Sequence, residues 1–264
     1  MVGHLRYYYR QRHLLKVFVV NDLRSRFSGS AMGIYWSVLN PLLLILIYTF
    51  VFSEILKVEF HKDTGNVNFA LYLVCGLLPW LAVQDSIQRS TPSIVDNANL
   101  IKKPGFPASL LPIHIVISNL VTEAIGLVAL IVLVGVTGEG VGLKTLALPV
   151  IFIPQILLTF GACWALASLQ VLFRDIAPLL SSFMMLWMFL TPIFYPSAIF
   201  PRHLGFLMVV NPMAHLVDIY RELIMKDAWP AAGSVVTLFV LSAAVFLAGY
   251  AIYVRLQPKF SDLV

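Results

Sequence analysis

Apolar residues in this chain come in long runs that are nearly free of charge, separated by short polar stretches. A bilayer core of roughly 30 Å needs about 20 apolar helical residues, so each run of that order predicts a membrane-spanning helix. Six qualify: 27–53, 64–84, 104–138, 145–173, 176–201 and 228–254. Glu123 alone interrupts the third, and a Gly-rich turn at 137–142 separates it from the fourth. Pro192, Pro196 and Pro201 cut the second half of the fifth run into short pieces, because proline ends or kinks a helix. The 203–217 stretch is uncharged but too short to span and is broken at Asn211-Pro212. It is expected to form a re-entrant or surface pair of short helices.

Composition supports the membrane reading. Of 264 residues, 59% are hydrophobic and 12% charged, about half the charge of an average soluble protein. That is too little to cover a soluble surface of this size. The net charge of +5 is therefore read by position and not as a nucleic-acid footprint. An even number of spans puts both termini on one side. That side holds Arg6, Arg10, Arg12, Lys16, Arg24, Arg26, Arg89, Lys102, Lys103, Arg174, Arg255 and Lys259. The other holds Lys57, Lys62, Lys144, Arg202, Arg221 and Lys226, so the positive-inside rule predicts that both termini are cytoplasmic. The longest uncharged stretch before Phe27 is 17–21, too short for the core of a cleavable signal. Cys75 and Cys163 both lie in apolar stretches, which argues against a disulfide framework or a zinc site.

Residues 4–27 set Arg6, Arg10, His13 and Arg24 on one helical sector and Tyr7, Leu14, Leu15 and Phe18 roughly opposite. This describes a basic amphipathic helix that lies on anionic lipid, docks a cytoplasmic partner, or does both. Between Arg89 and Phe106 the chain is longer than a simple connection needs, and Pro92 and Pro104 bracket a helix-sized piece. It is either a polar linker or a short helix across the cytoplasmic ends of the bundle, where a soluble subunit could push on it. The first span carries Tyr35, Trp36, Tyr48, Phe50 and Phe52. Interfacial anchoring accounts for the first two, whereas an aromatic-lined conduit for sugars would also use Tyr48 and its neighbours.

Glu123 is the clearest ionisable residue inside a span, where such groups are costly and default to a functional reading. No second buried acid or histidine forms a relay with it, so an interhelix hydrogen bond is expected. His114 is expected to be a satisfied histidine near a helix end. His215, Asp218 and Glu222 share a helix face at metal-compatible spacing, although Arg221 favours local pairing. The stretch 138–145 has Leu143 where a phosphate-binding loop needs Gly before its Lys, so no nucleotide site is expected.

In order along the chain stand Arg24-Ser-Arg-Phe, Gly33-Ile-Tyr-Trp-Ser-Val-Leu-Asn-Pro, Gly76-Leu-Leu-Pro-Trp and Lys103-Pro-Gly-Phe-Pro. Phe173-Arg-Asp-Ile, Thr191-Pro-Ile-Phe-Tyr-Pro and Asn211-Pro-Met-Ala-His follow. With six runs at the right places, the sequence resembles the membrane permease of type-2 ATP-binding-cassette polysaccharide exporters, those of O-antigen, capsule and teichoic acid. The resemblance implies an all-α, polytopic protein of the bacterial inner membrane with a cytoplasmic interface segment over 1–27 and one six-span domain over 28–264. It implies a homodimer with two cassette ATPase subunits that bind the ATP and Mg, no cofactor in this chain, and a polyprenyl-linked polysaccharide, O-antigen foremost, as cargo. Arg24, Arg26, Asp96, Asn97, Asn99, Lys102 and Lys103 would then meet the ATPase. Pro192, Tyr195, Pro196, Asn211 and Pro212 would belong to outer gate helices, and the first-span aromatics would line the conduit. A stand-alone secondary transporter and an enzyme acting on lipid-linked sugars are the alternatives. The first usually carries an internal repeat and the second a convergent pair of acids or an acid with a base; neither is seen here.

Purified alone, the chain is expected to hydrolyse no ATP, with turnover emerging only on addition of a cassette ATPase. Steady phosphate release by the isolated chain would contradict this.

Overall fold

The computed structural model describes residues 12–25, 69–103, 105–137 and 142–263, with isolated positions 39, 43, 46, 47, 50 and 51. Among the described residues all regular structure is helical. α1 (Arg12–Ser25) precedes α2 (Phe69–Ser90), two short helices α3 (Ser93–Asp96) and α4 (Ala98–Ile101), and the long α5 (Leu110–Thr137). Then come α6 (Leu148–Leu172), α7 (Ile176–Leu190), α8 (Gly205–Val210), α9 (Pro212–Ile224), α10 (Ala232–Leu256) and α11 (Phe260–Leu263).

Among the described residues, four helical stretches are long and apolar enough to cross a membrane: Phe69–Ser90, Leu110–Val136, Leu143–Leu172 and Ala232–Leu263. The predicted first span lies outside the described residues apart from the isolated positions. The fifth run is helical only over the 15 residues of α7, about 22 Å at 1.5 Å per residue. Pro192 has no N–H with which to continue the helix, and the chain runs on in turns with two short helical pieces at Ser197–Ile199 and Arg202–Leu204.

Burial ranks the helices. α2 is enclosed on nearly every side, from Ala70 through Trp80 to Ser90, and is the centre of the bundle. α10 buries one stripe, Leu238, Ser242, Gly249 and Tyr253, at helical spacing. Its Val236, Val240 and Leu247 are exposed, as are Val128 and Val132 of α5 and Phe183 and Leu186 of α7. In so apolar a chain these faces suit hydrocarbon. The expected pair of short helices between the fifth and sixth runs is present as α8 and α9, broken at Asn211-Pro212. The second of the pair is the surprise, because nine of its 13 residues are buried. Asn211 caps it, accepting a hydrogen bond from the Met213 amide (3.0 Å), and Pro212 occupies the first turn, where its missing N–H costs nothing.

α6 and α10 touch backbone to backbone. A Cβ built on Gly249 would lie 1.9 Å from the Gly161 carbonyl oxygen, and one on Gly161 would lie 2.5 Å from the Phe246 Cα. Small residues permit this approach, which gives membrane helices the close van der Waals contact that stands in for a hydrophobic driving force. Beside the crossing, Trp164 of α6 packs on Phe246, Tyr250 and Tyr253 of α10 at centroid distances of 5.6–5.9 Å.

Replacing Gly249 with Ala is therefore expected to lower stability in detergent by about 2 kcal/mol or more through overpacking. Gly233→Ala, with nothing within 4 Å of its Cβ, is expected to be neutral or to stabilise by up to about 1 kcal/mol through helix propensity. Thermal unfolding of both variants checks the opposite signs.

Candidate functional site

Two clusters sit at opposite ends of the bundle, with a buried acid between them. At the α1 end, α3 and α4 form one amphipathic strap. Ile94 is fully buried and, with Ile101 at the strap's edge, packs into a cluster with Trp164, Tyr253 and Phe260. Asp96, Asn99, Lys102 and Lys103 are exposed on the other side. Local hydrogen bonds hold the shape: Thr91 Oγ1 to Ile87 O (2.7 Å), Ser93 Oγ to Ser90 O (2.6 Å) and Asn97 Nδ2 to Ser93 O (2.8 Å). Asn97 thus braces the strap from within, unlike the exposed Asp96 and Asn99. The strap ends at Gly105, whose φ of +80° is open to glycine and rarely to other residues.

α1 lies against this end. Phe18 packs on Phe106 (6.4 Å) and on His114 (5.3 Å), and His114 Nδ1 is 3.0 Å from the Leu110 carbonyl oxygen. Asp22, buried, takes both guanidinium nitrogens of Arg89, which also pairs with Asp85 at 3.5 Å. Arg24 points to solvent, while Arg26 lies outside the described residues.

At the opposite end the turns after α7 are organised around Arg221 of α9. Its side chain is buried, yet it donates to three backbone carbonyls: Tyr72 O (3.3 Å), Pro192 O (2.5 Å) and Ile193 O (2.7 Å). The guanidinium also lies 3.5 Å from the centre of the Tyr72 ring and 3.8 Å from Asp218. Prolines 192 and 196 withhold amide donors from this segment, and the planar fork of Arg221 supplies donors in their place. Gly76 leaves room for it, since a Cβ there would come 2.9 Å from Nη2. Around the same turns, Trp187 Nε1 donates to Asn211 Oδ1 (2.9 Å), Asn211 Nδ2 to Thr191 Oγ1 (3.1 Å), Tyr195 OH to Phe189 O (2.7 Å) and Ser197 Oγ to Asp218 Oδ2 (2.7 Å). Pro192, Tyr195, Asn211 and Pro212 are therefore brought together, and Pro196 starts the Ser197–Ile199 turn beside them. His215 contacts the Val209 carbonyl at 3.1 Å and Asp218 accepts from Ser197 at 2.7 Å, so these two members of the His215, Asp218 and Glu222 face are engaged in local bonds.

Glu123 of α5 accepts from Gln155 Nε2 of α6 (2.6 Å). The Tyr220 hydroxyl of α9 stands 2.6 Å from Gln155 Oε1 and 3.3 Å from Glu123 Oε1. Three helices meet in this hydrogen-bonded triad, and among the described residues no ion pair reaches the acid. Tyr220 and Arg221 are adjacent, so α9 is fastened to α5 and α6 by one residue and to α2 and the 192–193 turn by the next.

Sequence reasoning did not single out Arg221's carbonyl cradle, Tyr220, Gln155 or the Asp22–Arg89 pair, and it named Gly76 only within a family motif, not as the space for Arg221. A signal for two of them exists. Arg221 falls four residues after Val217 and three before Ile224 on the buried face of α9, and Asp22 falls four after Phe18 and seven after Leu15. A charge on an apolar helical face demands a partner. The positive-inside tally counts Arg221 among the charges of the side away from the termini; the structure buries it, because its partners come from segments 28 and about 149 residues away. Of the aromatics assigned to a conduit, Phe50 is exposed, while Tyr35, Trp36, Tyr48 and Phe52 lie outside the described residues.

Residues 13–225 match the family described as ABC-2 type transporter. The chain is 29% identical to the O-antigen export system permease protein RfbA of Myxococcus xanthus over the whole of both proteins. It is 31% identical to the protein of that name from Klebsiella pneumoniae over 95% of each, and 22% identical to the polysialic acid transport protein KpsM of Escherichia coli over 92% of this chain and 93% of that one. The chain belongs to the ABC-2 type transporter family, which sets aside the secondary-transporter alternative.

Arg221→Met is expected to destabilise by about 3 kcal/mol or more, since it strands buried carbonyls. Arg221→Lys is expected to recover only part, because an ammonium cannot serve the three carbonyls as a planar fork does. Unfolding in detergent, read beside Gly76→Ala, measures both. Stability unaltered in Arg221→Met would show the carbonyls to be satisfied some other way.

Proposed function

We propose that this ABC-2 permease is the membrane subunit of an inner-membrane exporter of a polyprenyl-linked polysaccharide of the O-antigen type, driven by a separate cassette ATPase. The observation that carries the reading is end-to-end similarity to permeases named for O-antigen export, over the whole of both chains in one case and 95% of each in another. The strap formed by α3 and α4 supports it, since it is anchored by apolar residues and offers Asp96, Asn99, Lys102 and Lys103 to solvent, as a contact for a soluble subunit should.

In this reading the chain crosses the membrane six times, with 27–53 as the first span and the short α7 continued by the turns to residue 201. Both termini are cytoplasmic, so the α1 end faces the ATPases and Arg24 and Arg26 flank their docking surface. Two permeases and two ATPase subunits form the complex, and ATP and Mg bind the ATPases. Residues 1–27 act as the interface segment and 28–264 as the span domain. The turns held by Arg221, with Pro192, Tyr195, Pro196, Asn211 and Pro212, form the outer gate. A polymer of sugars cannot cross bare hydrocarbon, because each unpartnered hydroxyl costs on the order of 2 kcal/mol or more. Tyr35, Trp36, Tyr48, Phe50 and Phe52 of two facing first spans would offer rings on which successive sugars slide. A capsule polymer is the second reading, favoured by the similarity to the polysialic acid transport protein.

Bulky substitutions at the exposed Asp96 and Asn99 are expected to cut polymer export by roughly tenfold, the size of a typical interface coupling, while membrane insertion persists. Surface polymer in cells lacking their own permease, complemented with each variant, is the measurement. Wild-type complementation of an O-antigen strain but not of a capsule strain supports the first reading, and the reverse result the second. Full export by every strap variant would reduce α3 and α4 to a linker.

A further inference from the structure

α1 meets the rest of the chain on both sides of the strap. Before the strap, Arg89 at the last turn of α2 is held by buried Asp22 through two nitrogens. After it, Phe106 and His114 pack against Phe18, four residues earlier on the same face of α1. A third contact comes from Leu15, which joins the cluster of Ile94, Trp164, Tyr253 and Phe260 under the strap. Leu15, Phe18 and Asp22 follow helical spacing on one face, so a single face of α1 touches the root, the underside and the exit of the strap.

A helix of 14 residues is marginal by itself in water. Its register on the bundle needs a directional contact, and an apolar face alone tolerates sliding and rotation. The Asp22–Arg89 pair provides that contact: a carboxylate and a guanidinium meeting through two bonds fix distance and rotation together. Burial of Asp22 makes the contact selective, because a carboxylate removed from water and deprived of its cation is strongly disfavoured.

We propose that Asp22 and Arg89 form a clamp that makes α1 and the α3–α4 strap move as one body, so that a push on the strap is passed through α1 to the segment that follows it, the predicted first span. Asp22 and Arg89 are positioning residues in this assignment. The proposal rests on the reading of the strap as the ATPase contact, but the docking of α1 can be measured without it.

The experiment uses the full permease in membranes with a cassette ATPase. Cysteines replace Phe18 and Phe106, and a short bifunctional thiol reagent reports the docking of α1; native Cys75 and Cys163 are buried and do not compete. This pair is combined with Asp22→Asn, with Arg89→Gln, and with the swap Asp22→Arg plus Arg89→Asp, in which the new guanidinium faces carboxylates at positions 85 and 89. Each single variant is expected to lower the cross-link yield by roughly tenfold and the swap to restore most of it. Surface polymer, measured in the same series with Phe18 and Phe106 intact, should fall and recover in parallel.

Wild-type cross-linking in both single variants would overturn the clamp, as would a swap no better than the singles. Docking that is lost and regained while export stays constant would overturn the transmission role. Should a single variant fail to accumulate in membranes, recovery of its abundance by the swap supports the pair and continued absence overturns it. A wild-type complex that exports no lipid-linked polymer would refute the proposed function, while the cross-linking comparison would still decide the clamp.

Discussion

The buried guanidinium of Arg221 holds together the part of the molecule in which the helical pattern fails. Backbone polar groups in hydrocarbon must find partners within the protein, and prolines at 192 and 196 remove the amides that would ordinarily supply them. Arg221 answers by donating to the carbonyls of Pro192 and Ile193 and, across the bundle, to that of Tyr72. Without this cradle the shortened α7 and the turns after it would present unpaired carbonyls at the end of the bundle. Its position on α9 ties the irregular segment to the most enclosed helix of the fold, α2.

The neighbouring Tyr220 extends the tie in the other direction, to Gln155 and Glu123. One helix of 13 residues is thus fixed to α2, α5, α6 and the turns after α7 by two adjacent side chains. Such an arrangement favours motion of α9 and its turns as a unit over independent movement of either. The α1 end is built differently. Its strap relies on local side-chain-to-backbone bonds and an apolar underside, leaving the polar face outward. One end of the bundle is therefore closed around a buried arginine, and the other, pinned by the Asp22–Arg89 pair, leaves the charged face of its strap to solvent.

Much of the architecture is legible in the run lengths. Four of the predicted spans coincide with long apolar helices, and the proline cuts at 192 and 196 correspond to the end of α7 at Leu190. The break at Asn211-Pro212 was equally readable, because Asn caps a helix and Pro favours its first turn. Glu123 stood out because a lone acid in a charge-free run is costly wherever it lies. Its partners, Gln155 and Tyr220, did not, since neither a Gln nor a Tyr is conspicuous in an apolar helix and both lie far away in the chain.

Arg221 and Asp22 mark the boundary between the two kinds of information. Sequence by itself determined that each charge sits on an apolar helical face, through a period of 3.6 that depends only on backbone geometry. It also determined the membrane class, the succession of runs and the family motifs, all of which are local or compositional properties. Only the tertiary structure decided that Arg221 reads backbone carbonyls while Asp22 reads a guanidinium. The reason is that the cost of burying a charge is set by the residue itself, whereas its relief is set by whichever distant segments the packing brings within hydrogen-bond reach.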